Sequence, residues 1–119
     1  MQLVQPREDL TNRQRDYLLL TIFVLTRHGY YDRALILVES MLALEDYGAE
    51  VRLAHVVLKF LEKDFVGALA DLDHLESLTL SGGLSSRTLV MRRYLRARCF
   101  FETGRRQEGE AIARALAAK

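Results

Sequence analysis

The sequence predicts an all-α fold, and three observations support that prediction. Proline is almost absent, with only Pro6 in 119 residues. Apolar residues recur at intervals of three and four, as in Leu18, Ile22 and Leu25, which is the helical period. The alternation of apolar and polar residues that is typical of half-buried strands, with its turn dipeptides, is missing. We therefore expect about six helices and no strands.

The first two helices have clear start and stop signals. Thr11 stands three residues before Gln14, which is the spacing of a capping box at a helix start. Gly29 is placed to end this helix, because glycine tolerates the left-handed backbone conformation. A second helix is expected from about Tyr31 to Glu45, before the break at "DYGAE".

Four further helices follow the same pattern of apolar periodicity and polar breaks. The stretch "LTLSGGLSS" over 78–86 is the Gly/Ser-rich part of the chain and is expected to be a loop, with Ser85 or Ser86 capping the next helix. Gly104 is expected to end the fifth helix. The expected ranges are 49–62, 65–78, 87–103 and 106–117.

A repeat with a period near 34 residues runs through these helices. Each copy has a turn residue and, five positions later, a small residue. In the first two copies, an aromatic residue also stands two positions after the turn residue. Insertion of seven residues at 78–86 brings the third copy into register. This spacing is typical of tetratricopeptide repeats, in which the small residue lets two helices cross closely. The three sets are Gly29, Tyr31 and Ala34; Lys63, Phe65 and Ala68; Gly104, Arg106 and Gly109.

The chain is therefore expected to be one domain over 1–119, made of three degenerate tetratricopeptide-like helical hairpins in a curved right-handed stack. The repeats are expected at about 12–46, 49–80 and 87–117. The alternative is a plain six-helix bundle with chance spacing. In the stack, each hairpin buries its apolar face against its neighbours, and the first helix of each pair lines a concave surface.

The bulk composition limits the class of protein. A single cysteine, Cys99, excludes an internal disulfide and fits a reducing cytosol, where it is expected to be a small buried hydrophobe. The apolar runs "YLLLTIFVL" and "ALILV" are too short to span a membrane, and the N-terminus has no signal-peptide core. These features predict a soluble, cytoplasmic protein with no membrane insertion.

Charge is unevenly distributed along the chain. Residues 32–76 have four basic and ten acidic side chains, whereas residues 77–119 have nine basic and three acidic ones. The two stretches either neutralise each other in the fold or form two oppositely charged surfaces for partners.

The repeat register also predicts which residues line the concave surface. Three of the twelve concave positions hold Asp16, Thr26 and Glu50, and most of the others are large and apolar. An open apolar strip of this kind either is core or is covered by a partner, such as an amphipathic helix or an extended segment. We call the remaining nine the groove residues: Leu19, Phe23, Leu53, Val57, Phe60, Met91, Tyr94, Arg98 and Phe101.

No pattern of catalytic or metal-binding residues is found, so no enzyme activity, metal or cofactor is expected. The acidic group in "DLDHLE" (Asp71, Asp73, His74 and Glu76) is interpreted as a solvated helix face, because no second histidine stands at ligand spacing. His55 is expected to pack within the third helix.

Nucleic-acid binding is not expected either. The helical period places Arg92, Arg96 and Arg93 on one flank of the fifth helix, apart from Met91 and Tyr94. The chain as a whole has a formal net charge of only +1.

Two stretches resemble a known family. "LTNRQRDYLLLTIFVLTRHGYYDRALILVESMLAL" resembles the first repeat of the small tetratricopeptide chaperones of bacterial type III secretion, and of these it is most like the Y-type (YscY/SctY) family. "YLRARCFFETGRRQEGEAIARAL" is similar to that family's last repeat. The matching residues in the first repeat are Leu10, Thr11, Arg13, Gln14, Leu18, Leu19, Leu20, Gly29 and Ala34.

The resemblance implies a bacterial cytoplasmic chaperone of the export apparatus. Its implied partner is a small early-exported protein of the X type, bound as a heterodimer in the groove, and the pair would engage the cytoplasmic domain of the export gate. Two alternatives stay open, namely a G-type co-chaperone of the needle subunit and a generic tetratricopeptide interaction scaffold.

Overall fold

Six α-helices follow one another along the chain in the computed structural model, which describes residues 11–44, 48–78 and 86–118. The all-α prediction is confirmed. Helix α2 ends slightly earlier than expected, and most of the predicted loop over 78–86 lies outside the described residues. The helices are α1 (Asn12–Arg27), α2 (Tyr31–Ala43), α3 (Ala49–Leu61), α4 (Phe65–Leu78), α5 (Ser86–Glu102) and α6 (Arg106–Ala117).

The start of α1 is fixed by the predicted capping box. The backbone N–H of Gln14 donates to the Thr11 hydroxyl at 3.0 Å, and the backbone N–H of Thr11 donates to the Gln14 side chain at 3.0 Å. Two backbone donors that would otherwise lack helical partners are satisfied in this way.

Three hairpin turns share one backbone geometry. Gly29 and Gly104 both have φ of 83°, and Lys63 has φ of 67° at the equivalent position. The left-handed conformation is therefore kept in the second turn although its glycine is missing. In each turn, the amide after the left-handed residue donates to a carbonyl five residues earlier, as at helix ends of the Schellman type. These bonds join Tyr30 to Leu25 (2.9 Å), Asp64 to Lys59 (2.8 Å) and Arg105 to Phe100 (2.8 Å).

A small buried residue follows each turn at the same distance. Ala34 and Ala68 are fully buried, and Gly109 is buried at the equivalent position of α6. A β carbon at Gly109 would stand 3.1 Å from the carbonyl oxygen of Ala97 and from the ring of Phe101. Small side chains are thus needed where the two helices of a hairpin cross.

Helix α3 lies between two hydrophobic core clusters. Val51 and Leu58 face the first cluster, shared with α1 and α2, while Val56 faces the second, shared with α4 and α5. The other members of the first cluster are Ile22, Ala34, Val38 and Met41; those of the second are Ala68, Leu69, Leu72, Leu75, Leu95, Cys99 and Phe100.

The helices pack as sequential antiparallel pairs: α1 with α2, α3 with α4 and α5 with α6, each pair resting on the next along the chain. Within the described ranges, no helix is long and apolar enough to cross a membrane. The domain limits and the limits of the repeats stay predictions.

The left-handed turn at Lys63 gives the first testable prediction. Lys63→Gly should raise the free energy of unfolding by up to about 1 kcal/mol, because a side chain in this conformation costs about 1–2 kcal/mol and glycine's freedom in the unfolded chain offsets part of the gain. Urea unfolding followed by circular dichroism measures the change. Lys63→Ala, which removes the charge but keeps the strained backbone, is the control. Equal stabilisation by both variants would contradict the backbone explanation.

Candidate functional site

An open apolar cavity of about 270 Å³ lies between the first helices of the three hairpins. Helices α1 and α3 provide most of its lining, and Met91 of α5 completes it. Five of the nine groove residues meet here, together with two of the polar concave positions, Thr26 and Glu50. The full lining is Leu19, Ile22, Phe23, Thr26, Glu50, Leu53, Ala54, Val57, Leu58 and Met91.

The walls and the floor of this cavity differ in exposure. Phe23 on α1 is 58% exposed and Met91 on α5 is 39% exposed. Leu53 and Val57 on α3 are partly buried and pack against the second core cluster. Leu19 likewise packs against the first cluster. The floor therefore belongs to the core, whereas the walls expose apolar surface that water contacts unfavourably.

Three lining residues were missed by the repeat register. Ile22 and Leu58 are core residues that form the bottom of the cavity, and Ala54 lies beside Leu53 on α3. Because Ala54 ends in a methyl group, it leaves space that a larger side chain would fill. Its small size one helical turn before Val57 and Leu58 was the available signal in the sequence.

The far ends of α3 and α5 bring three more groove residues together. The guanidinium of Arg98 lies over the ring of Phe60, 5.4 Å from its centroid, and 5.8 Å from that of Tyr94. Arg98 also donates to the Tyr94 hydroxyl at 2.9 Å. Phe60 is held from behind by an edge-to-face contact with Phe65, at 5.6 Å between centroids. We call Phe60, Tyr94 and Arg98 the cation–aromatic cluster.

Phe101, the ninth groove residue, lies near the contact between α5 and α6. Its ring is 40% exposed and comes close to Gly109. It does not line the cavity. The structure thus divides the predicted groove into an apolar cavity, the cation–aromatic cluster and this outlying ring.

The acidic group of α4 is not the uniformly solvated face that was expected. Asp73, His74 and Glu76 are exposed, but Asp71 is only 7% exposed, so the prediction was wrong for that residue. The helical period turns Asp71 towards α3, where the apolar neighbours of α4 also pack.

Asp71 belongs to a cluster of charged and polar side chains that is largely buried, with only Glu39 exposed at its edge. Its carboxylate accepts a hydrogen bond from Arg52 at 3.0 Å and lies in close contact with Nδ1 of His55. On its other side, Nε2 of His55 lies 3.4 Å from Glu39 of α2. This cluster links α2, α3 and α4, and His55 is buried as predicted. Each member contacts another member, although Nε of Arg52 is buried without a hydrogen-bond partner among the described residues, and these mutual contacts favour a structural role.

The basic flank of α5 is likewise partly used within the fold. Arg92 is only 8% exposed, so it adds little to a basic surface on this flank. Arg96 is paired with Asp73 and Glu76 of α4, each at 3.0 Å. These pairs join the basic last hairpin to the acidic middle one, so part of the uneven charge is neutralised inside the molecule.

Cys99 is fully buried, as predicted, and burial raises the pKa of its thiol to about 11. A thiol in this state is a poor nucleophile at neutral pH. Within the described part of the chain, no group of three or more histidine, cysteine, aspartate or glutamate side chains is arranged to hold a metal ion.

Comparison with known proteins adds no assignment, since no family model matches the chain and no curated protein sequence matches it significantly.

The buried cluster around Asp71 gives the second prediction. Asp71→Ala should lower the free energy of unfolding by about 3 kcal/mol, because it leaves Arg52 buried without its carboxylate. Asp73→Ala, on the same helix but at the exposed end of an ion pair, should cost less than about 1 kcal/mol. Chemical unfolding of both variants measures the difference. Similar losses in the two would contradict a structural role for the buried cluster.

Proposed function

We propose that this protein is a chaperone that holds a segment of another protein in a groove formed by the first helices of three tetratricopeptide-like hairpins. In this proposal the hairpins form a curved right-handed stack, and the nine groove residues line its concave side. The single observation that supports it best is the open apolar cavity between α1, α3 and Met91.

The exposure pattern supports protein binding over a plain bundle core. The rings of Phe23, Tyr94 and Phe101 and the side chain of Met91 are all between 39% and 58% exposed. A partner's apolar side chains would remove this surface from water at roughly 25 cal/mol per Å². An amphipathic helix or an extended segment fits a surface of this kind.

The particular class that we propose is a bacterial type III secretion chaperone of the Y type. The support is the resemblance of the first and last repeats to that family, and the repeated turn at Gly29, Lys63 and Gly104 agrees with the register on which it is based. In the cytoplasm the chain would bind a small early-exported X-type partner as a heterodimer. It would keep that partner soluble and deliver it to the cytoplasmic domain of the export gate.

Two other functions use the same surface. A G-type co-chaperone would bind the needle subunit in the groove, and a generic scaffold would bind a peptide terminus there. The partner that co-purifies distinguishes all three. We propose no catalytic activity, cofactor or nucleic-acid ligand for this chain.

The third prediction concerns the groove walls. When the chain is co-expressed with the small genes that neighbour its own, we expect one product to co-purify and to improve its solubility. The double change Phe23→Asp with Met91→Asp should weaken that complex at least tenfold, because it places two carboxylates in an apolar contact. Isothermal titration calorimetry or quantitative pull-down measures the loss.

The chain offers a matched control on the same helices. Tyr17 and Val90 are 68% and 55% exposed but do not line the cavity. Tyr17→Asp with Val90→Asp should leave the complex intact, and circular dichroism should show unchanged helicity in both double variants. A stable lone monomer with no co-purifying neighbour, or equal loss of binding in the control, would contradict the proposed function.

A further inference from the structure

The groove is electrically uneven along its length. Glu50 lines the cavity at the N-terminal end of α3, and its carboxylate is paired with Arg15 at 2.6 Å. Arg98 lies at the C-terminal end of α5, and it forms only a long ion pair with Glu102, at 3.9 Å. Positive charge is therefore less fully balanced at the Arg98 end.

The two ends are arranged in a fixed order. The cavity that Met91 completes is lined by α3 residues from Glu50 to Leu58, whereas Arg98 lies over Phe60, nearer the C-terminal end of α3. Helices α3 and α5 therefore run in the same direction here. Met91 and Arg98 are seven residues apart on one helix, or about 10 Å along its axis. They lie on nearly the same side of α5, since seven residues make almost two turns.

The surroundings of Arg98 suit a carboxylate ligand. The rings of Phe60 and Tyr94 contact its guanidinium and hold it in place, and its side chain is still 44% exposed. Aromatic contacts reduce the water around a guanidinium without neutralising it, and a planar guanidinium binds carboxylates with two parallel bonds. The Tyr94 hydroxyl accepts one of its hydrogen bonds, which leaves further N–H donors on the same group.

We propose that Arg98 selects and orients the groove's occupant, and that this occupant is an amphipathic acidic segment of a partner protein. One apolar side chain of the segment would fill the cavity beside Met91, and an aspartate or glutamate would bind Arg98. The 10 Å between these points corresponds to about seven residues of a helix or three of an extended segment. This inference rests on the proposed function, and it adds the charge and the spacing of the bound segment.

A displayed library of random 16-residue peptides tests it. Selection is carried out on the wild-type chain, on Arg98→Glu and on Arg93→Glu. Arg93 is an exposed arginine on the same helix, about 160° around the axis from Met91, and it is the matched control.

Selection on the wild-type chain and on Arg93→Glu should enrich peptides that have an aspartate or glutamate at the stated distance from an apolar side chain. Selection on Arg98→Glu should enrich peptides with lysine or arginine at that position. A selected peptide remade with glutamine for that acid should bind the wild-type chain about ten- to a hundredfold more weakly.

Peptides of the same composition from wild type and Arg98→Glu would overturn the inference while leaving the proposed function intact. So would a wild-type dimer that Arg98→Glu dissociates, because the occupant would then be a second copy of the chain. If no variant selects any peptide, the proposed function itself fails.

Discussion

The close crossing of the two helices in each hairpin is the constraint on which the rest of the structure depends. A left-handed residue reverses the chain at Gly29, Lys63 and Gly104. Five residues later, a small residue lets the second helix approach the first. The first helices of the three hairpins line the open apolar cavity.

Much of this geometry could be predicted from the sequence. The capping box at Thr11 and the helix ends at glycines are local signals, and local backbone preferences decided them. The small residues at the crossings were predicted from the spacing of the repeat. Lys63 is instructive, because its backbone follows the repeat and not the preference of lysine. The period of the repeat was therefore a better predictor there than the residue type.

The sequence was less informative where packing decides the outcome. Asp71 and Arg92 look like surface residues by type, yet both are buried, and Asp71 has its polar partners on α3. The repeat register named the residues facing the cavity but not Ala54, whose small side chain leaves room there. The groove residues also do not all have the same environment. Those on α3 form a floor that packs on the core, whereas α1 and α5 supply exposed walls.

The central claim is that the first helices of the hairpins bind a partner and that the second helices are structural. Hydroxyl-radical footprinting of the chain, alone and with its co-purified partner, tests this most directly. The account predicts that the partner protects Phe23, Met91 and Tyr94. Ile36 and Val66, which are exposed on α2 and α4, should be oxidised equally in both samples. Protection of Ile36 and Val66, with Phe23 and Met91 unchanged, would contradict the account.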